Sequence, residues 1–238
     1  MESKPVVCLK DLALNVPEDH RPTGTRVLDA VISLAESAMQ QLAIAQEGRP
    51  TALVSRLRGS GRGISLSSLL GELDLAHPLL LEYPFEGSSR VGGAVWMPRS
   101  VGIQSDTSLA KLRWEAGADD LPMHVHDHSD RFIIVRSGRG FFHVTDESAE
   151  RFSGTKVRTV PARERDVFLF SRGIVHTFST DREPMELLSC QLPFLAFDDP
   201  RQYRLPKTRW VASECPDTYP VSIFCDPGWM TLATAMGG

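Results

Sequence analysis

The stretch Met123–Gly140, MHVHDHSDRFIIVRSGRG, places His124, His126 and His128 within five residues, runs on through the apolar Phe132–Val135 and ends at Gly138 and Gly140. In an extended strand, side chains two positions apart share a face, so His124, His126, His128 and Asp130 have one parity and Arg131 the other. Two imidazoles on one strand face supply two metal ligands. An ion such as Fe, Zn, Mn, Ni or Cu needs at least one more protein donor from elsewhere. His143, in GFFHVTDE, and His176, in SRGIVHTFS, are the downstream candidates. His143 reads more simply as an ordinary strand residue.

Outward from this stretch the chain is a succession of short strand patterns. SLAKLRWEAG from Ser108 comes before it, and RFIIVRSG, GFFHVTDE, KVRTVPA, DVFLFS, VHTFST and MELLSCQLPF follow, with Gly, Pro and Asp between them. Alternating apolar and polar residues rich in Val, Ile, Phe and Thr are what half-buried strands need. Six or more such runs without an intervening helix predict an antiparallel sandwich or barrel. Gly138 and Gly140 are expected to form a turn between two of these strands.

Upstream the period changes. RVLDAVISLAESAMQQLAIAQE, Arg26–Glu47, carries Val27, Ala30, Val31, Leu34, Ala38, Leu42 and Ala45 at three-to-four spacing and predicts an amphipathic helix capped by Thr25 and stopped by Gly48 and Pro50. Shorter helices are expected in TALVSRL from Thr51 and in SLSSLLGEL, where Ser65 or Ser67 can cap. Residues 1–88 are thus a mostly helical extension, 89–200 the barrel, and 201–238 an extended arm that packs on it. Phe132, Phe141, Phe142, Phe168, Phe170 and Phe178 alternate within strands as barrel core, with Phe178 also placed to line a pocket.

Composition narrows the function. The 238 residues carry a net charge of −4, which argues against nucleic acid or an anionic membrane as partner. RLRGSGRG, with Arg56, Arg58 and Arg62, reads as a solvated loop. The longest apolar run, HPLLLEYPF, is too short to cross a bilayer. The opening MESKPVVCLKDL has no signal-peptide character, and Cys8, Cys190, Cys215 and Cys225 form no CxxC pair. Free thiols and a cytoplasmic location are expected.

The segment GADDLPMHVHDHSDRFIIVRSGRG, Gly117–Gly140, resembles the first motif of the cupin superfamily. There a glycine precedes HxH, followed by Glu and a glycine turn. RDVFLFSRGIVHTFST, Arg165–Thr180, resembles the second motif through Asp166, Gly173 and His176. The resemblance covers about residues 105–195. It implies a mainly β jelly-roll barrel, here with an N-terminal α-helical extension, and a divalent transition metal (Fe, Zn, Mn or Ni) held inside by His124, His126 and His176.

The departures bear on the chemistry. Arg165 replaces the second motif's usual glycine and Ser171 its usual proline. At the position that usually carries Glu, a three-residue gap after His126 gives Asp130 and a four-residue gap gives Arg131. A guanidinium cannot ligate a cation. Either Asp130 completes a site of three His and one carboxylate, or three His hold the metal alone, as in cupin thiol dioxygenases. His128 is expected at the pocket rim, and Arg131, His128 and Phe178 are the candidate substrate-binding residues. Arg113 and Arg136 join Arg131 as arginines able to grip a carboxylate. The resulting expectation is a small-molecule metalloenzyme of dioxygenase type that pairs as a homodimer. The alternatives are a non-catalytic ligand-sensing cupin and a cupin isomerase acting on a sugar or keto acid.

Overall fold

A computed structural model describes residues 12–45, 50–58, 65–76, 78–81, 88–96, 107–196, 198–214 and 230–234. In chain order these form helix α1 (Thr23–Ala45), strand β1 (Thr51–Arg56), helix α2 (Leu66–Gly71) running into a 3-10 turn at Glu72–Ala76, and β2 (Leu79–Leu81). Then come β3 (Val91–Trp96), β4 (Ser108–Trp114), β5 (His124–Val125), β6 (Asp130–Thr145), β7 (Val157–Arg163), β8 (Asp166–Phe170), β9 (Val175–Ser179), β10 (Met185–Leu192) and β11 (Met230–Thr234).

The strands make two antiparallel layers that share β6. One runs β11-β1-β8-β6-β10-β4-β3-β2, and the other runs β7-β6-β9-β5. Strand β6 can belong to both because it is 16 residues long and turns a corner at its middle. Residues 130–138 of β6 pair with β10 and residues 139–145 with β7. The corner depends on glycine: Gly138 has φ +74°, and a Cβ there would collide with the Pro184 carbonyl. The Gly138/Gly140 segment is therefore a bend inside one strand, and the turn between two strands expected there does not form.

Alternation along β6 divides the core. Ile133, Val135, Phe142 and Val144 face the barrel interior with Leu112, Trp114, Phe168, Phe170 and Phe178. Phe132 and Ile134 face outward, where Val27, Leu28, Val31, Ile32, Ala35 and Leu42 of α1 cover them. Each large apolar side chain buried this way contributes roughly 1.5–3 kcal/mol. The helix therefore seals the outer face of the larger sheet. A third cluster, Met123, Val125, Ala149, Phe152, Val175 and Trp210, lies outside the smaller sheet beneath the 198–214 segment. That segment runs beside β5, with Val125 and Arg204 exchanging both backbone hydrogen bonds at 3.0 Å.

Several local readings change. TALVSRL forms β1, not a helix, and residues 79–81 form β2, so the N-terminal third contributes two strands to the larger sheet. Periodicity cannot separate helix from strand in so short an apolar run, and the pairing partners β8 and β11 decide it. Helix α1 begins at Thr23, which places Thr25 inside its first turn and not at the cap. Ser65 does cap α2, accepting from the Ser68 amide at 3.1 Å. Arg165 holds φ +76° between β7 and β8, the left-handed conformation a glycine there would adopt without cost. Ser171, standing where proline is usual, accepts from the Thr51 amide at 2.8 Å and so ties β8 to β1. Among the described residues Cys190 is a free, buried thiol, its pKa pushed up by burial. Cys8, His77, Arg62, Cys215 and Cys225 lie outside the described residues.

Candidate metal centre

Three buried imidazoles meet at one end of the barrel interior. His124 is on β5, His126 follows directly after it, and His176 is on β9, directly paired with His124. One ring nitrogen from each lies within 4.8 Å of the others. The segment after β9's approach loop is fixed by Gly173, whose φ is +86° and whose amide donates to the His126 carbonyl at 3.0 Å.

Backbone carbonyls face all three rings. His124 Nδ1 is 3.0 Å from the Pro122 oxygen, His176 Nδ1 is 2.9 Å from the Ile174 oxygen, and His126 Nδ1 is 2.6 Å from the Gln202 oxygen. A carbonyl only accepts, so in His124 and His176 Nδ1 carries the proton and Nε2 the lone pair. His126 Nδ1 instead meets both an accepting carbonyl and the donor-only Arg131 Nη2 at 2.9 Å, which make opposite demands on it. The rings are also neutral. Burial depresses all three pKa values, His124 to about 4, with the Arg131 charge adding to the effect. Three oriented, uncharged imidazoles are what a borderline divalent metal takes, and carbonyls accepting from the far ring nitrogen raise the basicity of the near one. The residues present therefore fit a metal held by His124, His126 and His176.

Asp130 is not brought to this cluster. Its carboxylate accepts from the Arg172 amide at 2.8 Å and pairs with the Arg172 guanidinium at 3.2 Å on the protein surface. The strand parity that favoured it fails because the chain leaves the smaller sheet after Val125 and enters the larger one at Asp130. Residues 126–129 make that crossing, and the count of two restarts. Arg131 consequently faces inward and Asp130 outward.

Arg131 is 3% exposed. Its Nη1 donates to Ser129 Oγ at 2.5 Å and its Nη2 to Gln202 Oε1 at 2.8 Å. The same Nη2 lies 2.9 Å from His126 Nδ1, which also faces the Gln202 carbonyl at 2.6 Å. Burial pulls the guanidinium down to about 9, so it remains positive at neutral pH.

Between the imidazoles and the opposite wall is a small cavity of about 30 Å³, room for two or three water-sized groups. Its apolar side is Ala110, Leu112, Trp114, Ile133 and Phe178, and its polar side is Arg131, Ser189, Gln191 and Gln202. Phe178 is thus where the sequence placed it. His128 is exposed and lies outside the cavity lining. Arg113 is exposed, and Arg136 is spent on Asp74 at 2.6 Å and Glu186 at 2.9 Å, so neither reaches the cavity. His143 also lies apart, buried on the outer face of the smaller sheet beside Trp210.

Three lining residues were missed by sequence reasoning. Ser189 and Gln191 had a signal: they are polar residues at period two inside the apolar MELLSCQL, and Gln191 pairs directly with Arg131. Gln202 had none, since it arrives from the segment after the barrel. Its amide nitrogen donates to Gln191 Oε1 at 3.1 Å, which locks the polar wall together.

Residues 111–190 match the family model of the cupin domain. No curated protein matches the chain in sequence. Similar solved structures include Bacillus subtilis oxalate decarboxylase studied for its Mn(II) centres, at 17% identity over 47% of this chain and 28% of that chain with a TM-score of 0.37. The same enzyme at pH 4.6 is similar at 18% identity over 44% and 25%, with a TM-score of 0.34. The chain spans under a third of the length of these solved chains. Residues 111–190 thus match the cupin domain, and the two motifs of that match lie on paired strands in this chain.

Proposed function

We propose that this protein is a metalloenzyme of dioxygenase type, with Fe or a similar divalent transition metal held by His124, His126 and His176 and a small-molecule substrate in the cavity beside them. The observation that carries this reading is the cluster of three buried imidazoles, one ring nitrogen of each within 4.8 Å of the others and no carboxylate among them. When bound, such an ion supplies open coordination positions for oxygen and substrate together.

The chain's own residues hold the three rings in place, keep them neutral through burial, and enclose the site with apolar side chains that exclude water. The isomerase alternative is the poorer fit, because such a reaction needs a positioned base at the substrate carbon. Among the described residues lining the cavity there is no carboxylate, and the three His are committed as ligands. The same feature keeps a non-catalytic sensing cupin as the second reading, since a receptor needs no base.

No helix among the described residues is long and apolar enough to cross a membrane. The partner we propose is a small molecule, with a second copy of this chain as the assembly. Elemental analysis after expression in metal-supplemented medium is expected to find one transition metal per chain, lost in His124→Ala. Oxygen uptake by the Fe-loaded protein is then measured across thiols, diols and keto acids. Turnover of one of these supports the enzyme. Tight ligand binding without oxygen uptake by any of them replaces it with the sensor.

A further inference from the structure

The cavity contains a buried guanidinium, Arg131, that makes no ion pair among the described residues and feels the Asp130 carboxylate only at longer range. Among the described residues no carboxylate lies within ion-pair distance of Arg131. The neighbouring acid, Asp130, is held by Arg172 at the surface. The groups facing the Arg131 guanidinium are neutral: a hydroxyl, a side-chain amide, the His126 ring nitrogen at 2.9 Å and a weak 3.4 Å contact to the Asp130 carbonyl. Burying an ionised group without a paired anion costs several kcal/mol, so an unpaired guanidinium that persists inside a fold is a candidate for function.

The metal ligands add to the imbalance. Three neutral imidazoles bring no negative charge to a divalent ion, and where a carboxylate ligand would partly neutralise it the chain supplies a cation. Shape narrows the choice. A planar guanidinium matches a carboxylate with two parallel hydrogen bonds. The amide and hydroxyl of Gln191 and Ser189 stand on the same wall, and the opposite wall of Leu112, Trp114 and Phe178 accepts only a short apolar group.

We infer that Arg131 is the anion receptor of this cavity and that the ligand it receives is a small organic carboxylate, with its charged end on the Arg131 wall beside the three imidazoles and its apolar end against Trp114 and Phe178. The inference rests on the proposed function in sharing its cavity, but not on any reaction there. It can be tested on metal-free protein, where failure of the oxygen chemistry leaves it standing and its own failure leaves the metal reading standing.

The test is the thermal unfolding midpoint and calorimetric binding of chelator-treated wild type with acetate, propionate and butyrate, with the matching amides, and with chloride and phosphate. Carboxylates are expected to raise the midpoint and bind about 10- to 100-fold more tightly than their amides, the range for hydrogen bonds to a charged partner. Chloride and phosphate are expected to do neither. In Arg131→Gln the carboxylate response is expected to vanish, while the ligand-free midpoint rises or holds because an uncompensated buried charge has been removed. Equal responses to acids and amides overturn the inference, as does a response to chloride or phosphate equal to that to carboxylates. An unchanged carboxylate response in Arg131→Gln overturns it too. If that variant does not fold, the wild-type comparison of acids with amides still decides the question.

Discussion

His143 and His176 sit on adjacent strands, one residue apart in register: His143 pairs with Thr177, and Val144 pairs with His176. Both are buried, and burial depresses both pKa values, His143 to about 3. They nonetheless face opposite sides of the sheet and have opposite fates. On the outer side His143 has each ring nitrogen engaged by a hydroxyl, Nδ1 with Thr159 at 2.9 Å and Nε2 with Ser179 at 2.7 Å. On the inner side His176 is held by one carbonyl at Nδ1 and turns its other nitrogen toward His124 and His126. Burial and a displaced pKa therefore do not distinguish a ligand from a structural histidine. What distinguishes them is which nitrogen the surroundings engage.

The largest effect that tests this contrast is on metal affinity. His176→Ala should weaken metal binding by more than about 100-fold, beyond the range for loss of an outer-shell partner, while His143→Gln should leave stoichiometry and affinity unchanged. Competition against a chelator of known affinity measures both, and equal losses in the two variants would break the contrast. The next effect is on stability. Phe142 packs on the interior against Phe168, Phe170 and Phe178 with centroids at 4.7–5.6 Å, so Phe142→Ala should cost about 3–5 kcal/mol in denaturant unfolding. Phe141→Ala, on the half-buried outer face, should cost clearly less.

Gln202→Ala sharpens the comparison from the other direction. It keeps the backbone carbonyl on His126 but removes the side chain that holds Arg131 and Gln191. Metal affinity should fall by about 10-fold with folding intact, as circular dichroism and the same chelator competition will show.

A further effect is on pH dependence. His143 is neutral in the folded protein down to about pH 3, whereas its unfolded value is near 6.5. Below pH 6.5 the unfolded chain takes up a proton that the folded chain refuses, so stability falls with pH through that window and is complete above it. His143→Gln should make the stability curve between pH 6.5 and 3 shallower by up to about 1.4 kcal/mol per pH unit. An unchanged slope would mean that His143 is protonated in the fold.

Much of this was legible in the chain. The HxH spacing, the strand run that follows and His176 downstream carry the barrel and its three clustered histidines, because parity of two is a local property of extended backbone. The same rule misplaced Asp130, since residues 126–129 cross from one sheet to the other and the parity does not survive the crossing. TALVSRL was misread for a related reason: a six-residue run takes its conformation from strands more than 100 positions away.

By itself the sequence determined which residue types could bind a metal, the two motifs that carry them, and the apolar stripe of α1 that seals the larger sheet. Only the tertiary structure decided that Arg131 enters the cavity and Asp130 leaves it. It alone brought in Gln202 from beyond the barrel, and it alone placed one buried histidine in the three-imidazole cluster and its neighbour in register between two hydroxyls. The physical reason is that facing within a strand is fixed by neighbours in sequence. Facing between sheets, and the partner each polar atom finds there, is fixed by segments that meet only when the barrel closes.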